Sequence, residues 1–390
     1  MNIVCHAFPS WRGDYMKSTV QLMKELALEH KVLYVDYSYS WKDLLINTRH
    51  NKFIPVKRIL AIENPIETIE LDQENKIYIL SLPPVVPFNW VKNEKAFNFI
   101  QKINNFLIRK RIKSALKKLE MENPVLVNAF NPFWVKYSAS QFNPKASIYY
   151  CYDNISASAW ASKHGSRLEN EIKKKVNAVV YSSQELKVSN EGTNTPAYVV
   201  NNGVDLSIFE KHIKFKTTLD NSTEVHIGYV GSIDNRLDFE LLEQTIMRFP
   251  EWTFHFIGRI NSTEAERLKN YTNTIFYGAV HVGELPVLMK YFSAGIIPFV
   301  KNDFTKNIYP MKANEYLAMG MPVIMTDFAN LDDLSDMVKV SDKANFSDAL
   351  ISEIKTNSVE KVNNRIQFAL QNSWKNKAKE FESILLKYAS

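Results

Sequence analysis

The stretch IYPMKANEYLAMGMPVIMTD, residues 308–327, joins a short helix directly to a short strand. Pro310 is a favoured residue at a helix start, and Gly320 is a favoured residue just beyond a helix end. The helix is therefore predicted from about Met311 to Met319. The apolar run PVIMTD that follows is too short for a helix and is typical of a buried strand. A helix that leads straight into a buried strand is the repeating unit of an α/β fold.

The same alternation of apolar runs and helical patterns continues on both sides of this stretch. Repeated βα units predict parallel sheets with helices on both faces. A polar segment, residues 211–223, separates two such series and is interpreted as a linker. The chain is thus predicted to be an α/β protein of two doubly wound, Rossmann-like domains that face each other across a cleft. The predicted strands are NIVCHAF, KVLYVDY, KIYILSL, PVLVNAF, ASIYYCY, NAVVYSS and PAYVVNN, then VHIGYVGS, WTFHFIGR, TIFYGAV, AGIIPFV, PVIMTD and DMVKVSD.

Composition limits the class of protein. The chain has 390 residues, more than one ordinary core holds, and its net charge is +6. This mild positive charge suits anionic ligands or an anionic membrane surface without requiring nucleic acid. Two cysteines form no disulfide framework and fit a reducing compartment. The start MNIVCHAF lacks the features of a signal peptide, and no apolar run reaches the ~18 residues of a membrane span, so a cytoplasmic location is predicted.

Lys312 and Glu315 lie in the first turn of the predicted helix, beyond the carboxyl end of the strand AGIIPFV. Ligands of doubly wound sheets bind at that edge. A helix N-terminus attracts phosphate through its unpaired N–H groups, and Lys312 adds a full positive charge. Glu315 lies on the same face and is suited to accept hydrogen bonds from the hydroxyls of a ribose. An ordinary Lys–Glu pair on a helix surface fits the same spacing, and spacing alone does not decide between them.

Other glycine-containing segments also end strands in the second half of the chain. In GYVGSIDNR, Gly231 lets the backbone approach a diphosphate, and Arg236 adds positive charge. This segment lacks the full G-x-G-x-x-G fingerprint, so an ordinary strand-to-helix turn fits it as well. The loops at Arg259 and Glu284 are of a kind that holds a planar base against backbone groups. Simple turn chemistry is the alternative there.

Asp153 and Asn154 follow the strand ASIYYCY. An Asp in this position is either a helix cap or, where it faces a cleft, a general base. The sequence contains no D-x-D triplet and no His, Cys or Asp cluster with metal-ligand spacing. We therefore expect neither a catalytic metal nor another cofactor.

These motifs resemble those of nucleotide-sugar glycosyltransferases of the GT-B fold. Residues 312–324, KANEYLAMGMPVI, are similar to their K-x-x-E-Y-L-A-x-G-x-P-V-V signature. Residues 200–209, VNNGVDLSIF, resemble the N-G-V-D-x-x-x-F segment at the end of their first domain. Residues 149–154, YYCYDN, resemble the Y-x-x-x-D-D segment of bacterial enzymes that build exopolysaccharides and wall polymers, including xanthan glucuronosyltransferase-like and teichuronic-acid-type enzymes. Residues 372–385 are similar to their last helix, which returns to the first domain.

The resemblance implies a division of the chain and a set of donor-binding residues. Residues 1–210 would form an acceptor-binding domain, 211–223 a linker, 224–372 a nucleotide-sugar-binding domain, and 373–390 the returning helix. Glu315 would bind the donor ribose, Lys312 and the Gly231 backbone would hold the diphosphate, and Arg259 and Val280 would flank the base. The full donor-binding set is Gly231, Arg236, Arg259, Val280, Glu284, Tyr309, Met311, Lys312 and Glu315.

One departure from the family pattern bears on the mechanism. Retaining members pair the helix glutamate with a second glutamate eight residues earlier, and this chain has Asn307 there. The departure favours the inverting subset, in which the acidic residue of the Y-x-x-x-D-D segment is the proposed base. Asp153 is therefore the predicted catalytic base, with Lys312 stabilising the leaving diphosphate. The predicted acceptor-side residues are Arg12, Asp14, Asn131 and Asn154.

The implied function is transfer of a sugar from a nucleoside-diphosphate donor, expected to be a UDP-sugar, to a hydroxyl group. The acceptor would be a glycan or a polyprenyl-diphosphate-linked glycan in surface polysaccharide synthesis. Two alternatives stay open. A GT-B-like sugar-nucleotide epimerase would need acidic and His pairs around one sugar. A non-catalytic two-domain sugar-binding protein of the periplasmic kind would carry a signal peptide. Nucleic acid is not an expected partner.

A helix predicted at about residues 96–119 combines apolar and basic residues. An ordinary core helix with a solvated basic face explains this pattern. The alternative is a surface that docks on the anionic inner face of the plasma membrane, with Arg49, Lys52, Lys57 and Arg58 adding charge. The apolar stripe is Phe99, Ile103, Phe106, Ile112, Ala115, Leu116 and Leu119, and the cations are Lys102, Arg109, Lys110, Arg111, Lys113, Lys117 and Lys118.

Overall fold

The computed structural model describes residues 1–13, 16–46, 54–135, 142–157, 161, 163–190, 192–218 and 224–390. They form two units: Met1–Asn201 with Lys377–Ser390, and Asn202–Asn376. The second unit thus begins before the predicted boundary at residue 210. Part of the predicted linker, up to residue 218, groups with it. The backbone of Lys216 exchanges hydrogen bonds with the Asn363 side chain, with N–O distances of 2.8 and 3.0 Å.

The first unit contains a sheet in the order β3-β4-β2-β1-β5-β6-β7-β8. Its pairs are parallel except β3 with β4. The inner strands are buried on both faces, as their continuous apolar sequences predict. The edge strand β3, IETIE, was not predicted, because its charged residues interrupt the apolar pattern. The strands are β1 (Asn2–Ala7), β2 (Lys31–Val35), β3 (Ile66–Glu70), β4 (Lys76–Leu80), β5 (Val125–Ala129), β6 (Ala146–Cys151), β7 (Ala178–Tyr181) and β8 (Ala197–Val199).

The second unit contains a fully parallel sheet in the order β11-β10-β9-β12-β13-β14. The chain first adds strands on one side of β9 and then returns to add the rest on the other side. This is the doubly wound arrangement that the alternation predicts. The strands are β9 (His226–Val230), β10 (Thr253–Ile257), β11 (Thr274–Gly278), β12 (Ala294–Ile297), β13 (Val323–Thr326) and β14 (Lys339–Ser341).

Helices connect the parallel strands in both units and close each hydrophobic core. Residues 377–390 of the last helix group with the first unit, where Phe381 packs edge-on against Tyr150. The helices are α1 (Ser18–Leu26), α2 (Trp41–Ile46), α3 (Val56–Ile59), α4 (Glu94–Lys118), α5 (Pro132–Val135), α6 (Gly165–Lys173), α7 (Gln184–Val188), α8 (Leu206–Phe209), α9 (Phe239–Arg248), α10 (Ala265–Leu268), α11 (Leu285–Met289), α12 (Met311–Ala318), α13 (Phe346–Lys355), α14 (Val359–Gln371) and α15 (Trp374–Ala389).

Helix α4 packs differently from the core helix that its apolar stripe predicts. Phe99, Ile103 and Phe106 are 66%, 40% and 55% exposed. The first half of the helix instead turns Asn104 inward, where its side chain bonds both the N–H and the carbonyl of Val86. The core prediction is therefore wrong for this half of α4. It is right for the second half, where Ile112, Ala115 and Leu116 are buried.

Candidate active site

The carboxyl ends of β9 and β12 mark the point where the second unit's sheet reverses its order of addition. The loops that leave two such strands run in opposite directions, and this opens a crevice in which doubly wound proteins bind ligands. Gly231 follows β9, and the segment from residue 298 to the start of α12 follows β12. The donor-binding residues predicted from the sequence thus lie on segments that leave this edge of the sheet.

Lys312 and Glu315 form an ion pair on the first turn of α12. The Lys312 Nζ lies 2.9 Å from each carboxylate oxygen of Glu315. The Glu315 side chain is 1% exposed and that of Lys312 is 30% exposed, so this is not the solvent-exposed pair of the alternative interpretation. Pro310 precedes the helix without a side-chain cap. The arrangement presents a helix N-terminus, a cation and a buried carboxylate on the same turn.

Two buried side chains fix α12 in its position. The Tyr316 hydroxyl accepts a hydrogen bond of 2.7 Å from the backbone N–H of Val230, at the end of β9. Its ring passes so close to Gly295 that a Cβ there would lie 2.6 Å from it. Asn314 donates to the carbonyl of Asn202, which belongs to the VNNGVD segment, at 3.0 Å. The buried half of the signature is therefore structural and holds the first turn of the helix against the strand end.

Gly231 and Gly258 bring the loops after β9 and β10 into direct contact. Both have positive φ values, +150° and +151°. A Cβ on Gly258 would lie 1.8 Å from the carbonyl oxygen of Gly231, which no side chain tolerates. The loops then run side by side, because the N–H of Ile233 donates to the carbonyl of Arg259. The backbone conformation at Gly231 is therefore tightly restricted.

Several predicted donor-binding side chains have local structural partners. The Arg236 guanidinium forms two 2.8 Å hydrogen bonds with the carboxylate of Asp234. The Glu284 carboxylate accepts from the N–H of His281 in a capping box, which is the turn chemistry of the alternative interpretation. Tyr309 is 4% exposed, and its carbonyl accepts from the Asn202 side chain at 3.3 Å. These residues shape the loops rather than present open side chains.

The other predicted donor-binding residues differ in exposure. Arg259 is exposed, and Val280 and Met311 are half-buried.

Asn307, the position at which the sequence departs from retaining enzymes, is 2% exposed. Its amide nitrogen donates to the carbonyl of Asp303 at 2.9 Å and closes the short turn before α12. Position 307 therefore supplies a buried neutral amide in this chain. The inverting mechanism inferred from it stays a prediction.

Asp153 lies just beyond the carboxyl end of β6 in the first unit. Its carboxylate accepts a 2.8 Å hydrogen bond from the N–H of Asn154, and the side chain is half-buried. Asn154 in turn caps the following turn through Ser156, by 3.0 Å from the backbone N–H and 2.6 Å from the hydroxyl. Asn154 thus has a structural contact that explains its presence. Asp153 keeps a half-buried carboxylate just beyond the carboxyl end of β6, and its role as the catalytic base stays a prediction.

Arg12, predicted on the acceptor side, is held by two carboxylates of its own unit. It contacts Glu67, and its guanidinium lies 3.7 Å from the Asp36 carboxylate. Burial raises the pKa of Asp36, while hydrogen bonds from the N–H groups of Trp11 and Tyr37 and the charge of Arg12 oppose that rise. Arg12 thus helps to hold this buried carboxylate in place. Asp14, the other predicted residue of this loop, lies outside the described residues.

An aromatic cavity at the carboxyl ends of β1, β2 and β5 was missed by sequence reasoning. Its volume is about 320 Å³. Among the predicted acceptor-side residues that the structure describes, Asn131 alone lines this cavity. The available signal was that the predicted strands NIVCHAF and KVLYVDY end in the aromatic residues Phe8 and Tyr37. Its aromatic lining residues are Phe8, Tyr37, Phe88, Trp90 and Phe133.

His6 is a titratable group near the same edge of the first unit's sheet, in β1. It is 8% exposed, and burial lowers its pKa to about 3. At neutral pH its imidazole is therefore uncharged.

The described part of the chain contains neither a metal-binding cluster nor a membrane-spanning helix. No group of three or more His, Cys, Asp or Glu side chains there is placed to hold a metal ion. No helix there is both long enough and apolar enough to cross a bilayer. Independence from metals and cofactors stays a prediction.

Comparison with known proteins locates a family domain in the second unit. Residues 224–355 match the model of the family Glycosyl transferases group 1. TuaH of Bacillus subtilis (strain 168), a candidate teichuronic acid biosynthesis glycosyltransferase, is 29% identical over 147 residues. That match covers 36% of this chain and 36% of TuaH, so it spans about a third of the relative's length.

Solved structures match nearly the whole chain. Sucrose-phosphate synthase from Thermosynechococcus elongatus superposes with a TM-score of 0.68 at 15% identity, covering 99% of this chain and 98% of that one. A trehalose-6-phosphate structure from E. coli, bound with UDP-2-fluoro glucose, gives a TM-score of 0.67 at 10% identity over 99% of both chains. At such identities the likeness shows the fold. The chain therefore has the GT-B fold of two α/β parallel-sheet domains, and its residues 224–355 match the model of the family Glycosyl transferases group 1.

Proposed function

We propose that the protein transfers a sugar from a nucleoside-diphosphate donor to a hydroxyl group of a glycan or lipid-linked glycan. The observation that carries the proposal is the first turn of α12. There, Lys312 and the buried carboxylate of Glu315 lie at the ligand-binding edge of a Glycosyl transferases group 1 domain. Phosphate is attracted by the helix N-terminus and by Lys312, and ribose hydroxyls are suited to Glu315.

In the proposed reaction Asp153 takes the proton from the acceptor hydroxyl. The acceptor oxygen forms a bond to the anomeric carbon while the bond from that carbon to the diphosphate oxygen breaks. The nucleoside diphosphate leaves with the electron pair, and Lys312 stabilises its charge. A single displacement of this kind inverts the anomeric configuration. The buried amide of Asn307 supports it, because no carboxylate is present at that position for a second role.

Two relatives support the choice of substrates. UDP is the proposed nucleotide, since the E. coli trehalose-6-phosphate structure is bound with UDP-2-fluoro glucose. A wall-polymer acceptor is proposed from the likeness to TuaH. A polyprenyl-diphosphate-linked glycan would combine this sugar chemistry with a cytoplasmic location at the inner membrane face.

The proposal is tested by measuring UDP release from UDP-sugars with and without a polyprenyl-diphosphate-linked monosaccharide. Thermal-shift screening of UDP-, GDP- and dTDP-sugars first selects the donor, because a ligand that binds only the folded state stabilises it. We expect acceptor-dependent release of UDP. Conversion of the donor to another sugar nucleotide without release would instead establish an epimerase, and binding without turnover would establish a sugar-binding protein.

We further propose that α4 docks the protein on an anionic membrane. Its exposed face carries three large apolar side chains, Phe99, Ile103 and Phe106, among lysines that have no carboxylate partner among the described residues. Helices that lie in a membrane interface combine these features. The lysines of this face are Lys95, Lys102, Lys110, Lys113 and Lys117.

Not every cation predicted for this surface contributes. The Arg111 side chain turns to the backbone carbonyls of Arg58 and Ser81, at 3.4 and 3.2 Å. The Lys57 Nζ lies 3.5 Å from the Glu63 carboxylate, and this negative charge offsets the positive charge of Lys57. Arg49 and Lys52 lie outside the described residues. The docking proposal therefore rests on α4 itself.

Replacing Lys110, Lys113 and Lys117 with Gln should weaken binding to anionic liposomes. Each cation near such a surface contributes ~1 kcal/mol, so the loss is roughly 100-fold in affinity. Liposome flotation measures the change, and wild-type binding should fall at high salt because charges are screened beyond about 10 Å at 0.1 M ionic strength. The matched control replaces Lys339, Lys355 and Lys375, which are exposed on the second unit. Equal recovery with neutral and anionic liposomes would contradict the proposal.

A further inference from the structure

Phe130 has a backbone conformation that large side chains rarely adopt. It follows β5 in the first unit, is buried, and has a φ of +55°, in the left-handed region that favours glycine. Of the described residues with a positive φ, Phe130 alone is aromatic. A glycine would adopt this conformation without strain, so the phenylalanine ring is expected to supply something that a glycine could not. Strained residues of this kind cluster at functional sites.

Hydrogen bonds hold the strained turn at Phe130 in place. The Asn128 side chain accepts a 2.9 Å hydrogen bond from the N–H of Asn131 and donates one of 2.8 Å to the carbonyl of the same residue. The N–H of Phe130 donates to the carbonyl of Tyr150, in β6, at 2.9 Å. A strained conformation persists only where neighbouring contacts determine it in this way. The turn after β5 is therefore bonded both within itself and to β6.

The Phe130 ring contacts two other aromatic rings of the first unit. It meets Phe8 edge to face, with the ring centroids 6.4 Å apart. It also lies against Tyr152, with a centroid distance of 4.8 Å and an angle of 45° between the rings. Aromatic pairs at such distances stabilise each other beyond the area that they bury. The fixed turn thus gives Tyr152 a fixed ring to pack on.

Tyr152 immediately precedes Asp153, the predicted catalytic base. Both residues follow β6 and are half-buried. The Cys151 thiol donates to the Asp153 carbonyl at an S–O distance of 3.4 Å, and the N–H of Asn154 donates to the Asp153 carboxylate at 2.8 Å. These two contacts are local in sequence. The packing of Tyr152 on Phe130 joins the same segment to the turn that follows another strand.

We infer that Phe130 is a positioning residue for the proposed catalytic base. The strained turn fixes the Phe130 ring, the ring fixes Tyr152, and Tyr152 fixes the direction of the Asp153 carboxylate. A general base works only within hydrogen-bond reach of the proton that it removes, so a small displacement lowers the rate strongly. This inference rests on the proposed function, in which Asp153 takes the proton from the acceptor hydroxyl. It adds the residues that aim the carboxylate.

Ordinary core packing is the alternative role for Phe130, which belongs to the hydrophobic core of the first unit. Core packing requires a large apolar side chain, but it does not require a left-handed backbone. A Phe130 that only fills the core would affect the stability of the protein and leave the turnover of each folded molecule unchanged. The two roles therefore differ in what they predict for catalysis.

Hydrogen exchange measured by mass spectrometry tests the ordering without any substrate. We expect exchange across residues 152–157 to be at least tenfold faster in Phe130→Ala and in Tyr152→Ala than in the wild type. Tyr152→Ala removes a half-buried ring and so leaves a smaller cavity than Phe130→Ala. Leu33→Ala is the matched control, because Leu33 is buried in the same core but lies in β2. It should leave exchange across residues 152–157 unchanged.

Turnover distinguishes positioning from packing. With the UDP-sugar and polyprenyl-diphosphate-linked monosaccharide of the assay above, Phe130→Ala and Tyr152→Ala should each lower kcat at least tenfold and leave UDP affinity unchanged. The double variant should be no slower than the slower single variant, because both changes break one contact. In an Asp153→Asn background, Tyr152→Ala should change the residual rate less than twofold, since no base is left to position. Leu33→Ala should turn over as the wild type does.

Three results would overturn the inference. They are exchange as slow as in the wild type in both ring variants, losses of kcat that multiply in the double variant, and a full loss that persists in the Asp153→Asn background. Failure of the proposed function is distinct, since it would appear as no acceptor-dependent UDP release in the wild type or as normal turnover in Asp153→Asn. Hydrogen exchange would even then decide whether the two rings order the Asp153 segment.

Discussion

Asp153→Asn should lower the turnover number for sugar transfer by about 10²–10⁴-fold, the usual contribution of a positioned general base. The substitution removes the proton acceptor and little else. An amide oxygen can still accept the 2.8 Å hydrogen bond that the N–H of Asn154 now donates to the Asp153 carboxylate. The loop should therefore keep its shape. Steady-state rates of UDP release measure the effect, and calorimetry should show that donor affinity survives.

Asp72→Asn is a suitable control for this experiment. Asp72 also accepts backbone hydrogen bonds just after a strand, from Glu74 at 2.9 Å and Asn75 at 2.7 Å. It lies in the turn between β3 and β4 and has no proposed role, so its loss should leave the rate unchanged. Near-normal turnover in Asp153→Asn would reject the base assignment. A product that keeps the donor's anomeric configuration would reject the single displacement.

Glu315→Ala should weaken binding of the nucleotide-sugar by roughly 1.5–3 kcal/mol, or about 10- to 150-fold in Kd. The reason is loss of a carboxylate that accepts charge-assisted hydrogen bonds from the ribose hydroxyls. Its ion pair with Lys312 is lost at the same time. That second loss leaves a partly exposed lysine, which water can solvate and which can still meet a phosphate. Isothermal calorimetry with the selected UDP-sugar gives the affinity.

A ribose role can be separated from a purely structural one by changing the ligand instead of the protein. The wild type should bind UDP more tightly than its 2′,3′-dideoxy analogue, whereas Glu315→Ala should bind both equally. A melting temperature close to that of the wild type would show that the variant is folded. Discrimination that persists in Glu315→Ala, or unchanged donor affinity, would contradict the assignment.

The architecture was predictable because the buried strands of a doubly wound sheet leave a local signal. Each one is a short apolar run, and the structure places strands at all of the predicted runs. The edge strand β3 lacks this signal, since only Ile66 of its sequence is fully buried. In helix α4 the signal was present, but the burial that it predicts is missing from the first half of the helix. An apolar stripe at helical spacing indicates that one face avoids water, and a membrane satisfies that requirement as well as a core does.

The candidate site was only partly predictable for a different reason. Spacing placed Lys312 and Glu315 on one helical turn, and the ion pair follows from that geometry. Spacing cannot show that a nearby carboxylate already engages a side chain. Asp234 engages Arg236 in this way, and the contact with Glu67 does the same for Arg12. The aromatic cavity could not be predicted from the sequence. Its walls come from segments that are far apart in the sequence, and only the sheet brings them together.

The contact between Gly231 and Gly258 has a consequence for how this protein can change. Gly258 cannot acquire a side chain, because a Cβ there would collide with the Gly231 carbonyl. Gly231 is restricted by its own backbone, since side chains rarely adopt a φ of +150°. A substitution at either position should therefore distort the loops that follow β9 and β10. Changes of donor preference are predicted instead at Arg259 and Val280, which the resemblance to nucleotide-sugar glycosyltransferases would place beside the base. Libraries built to redirect donor choice should randomise those two positions and leave both glycines untouched.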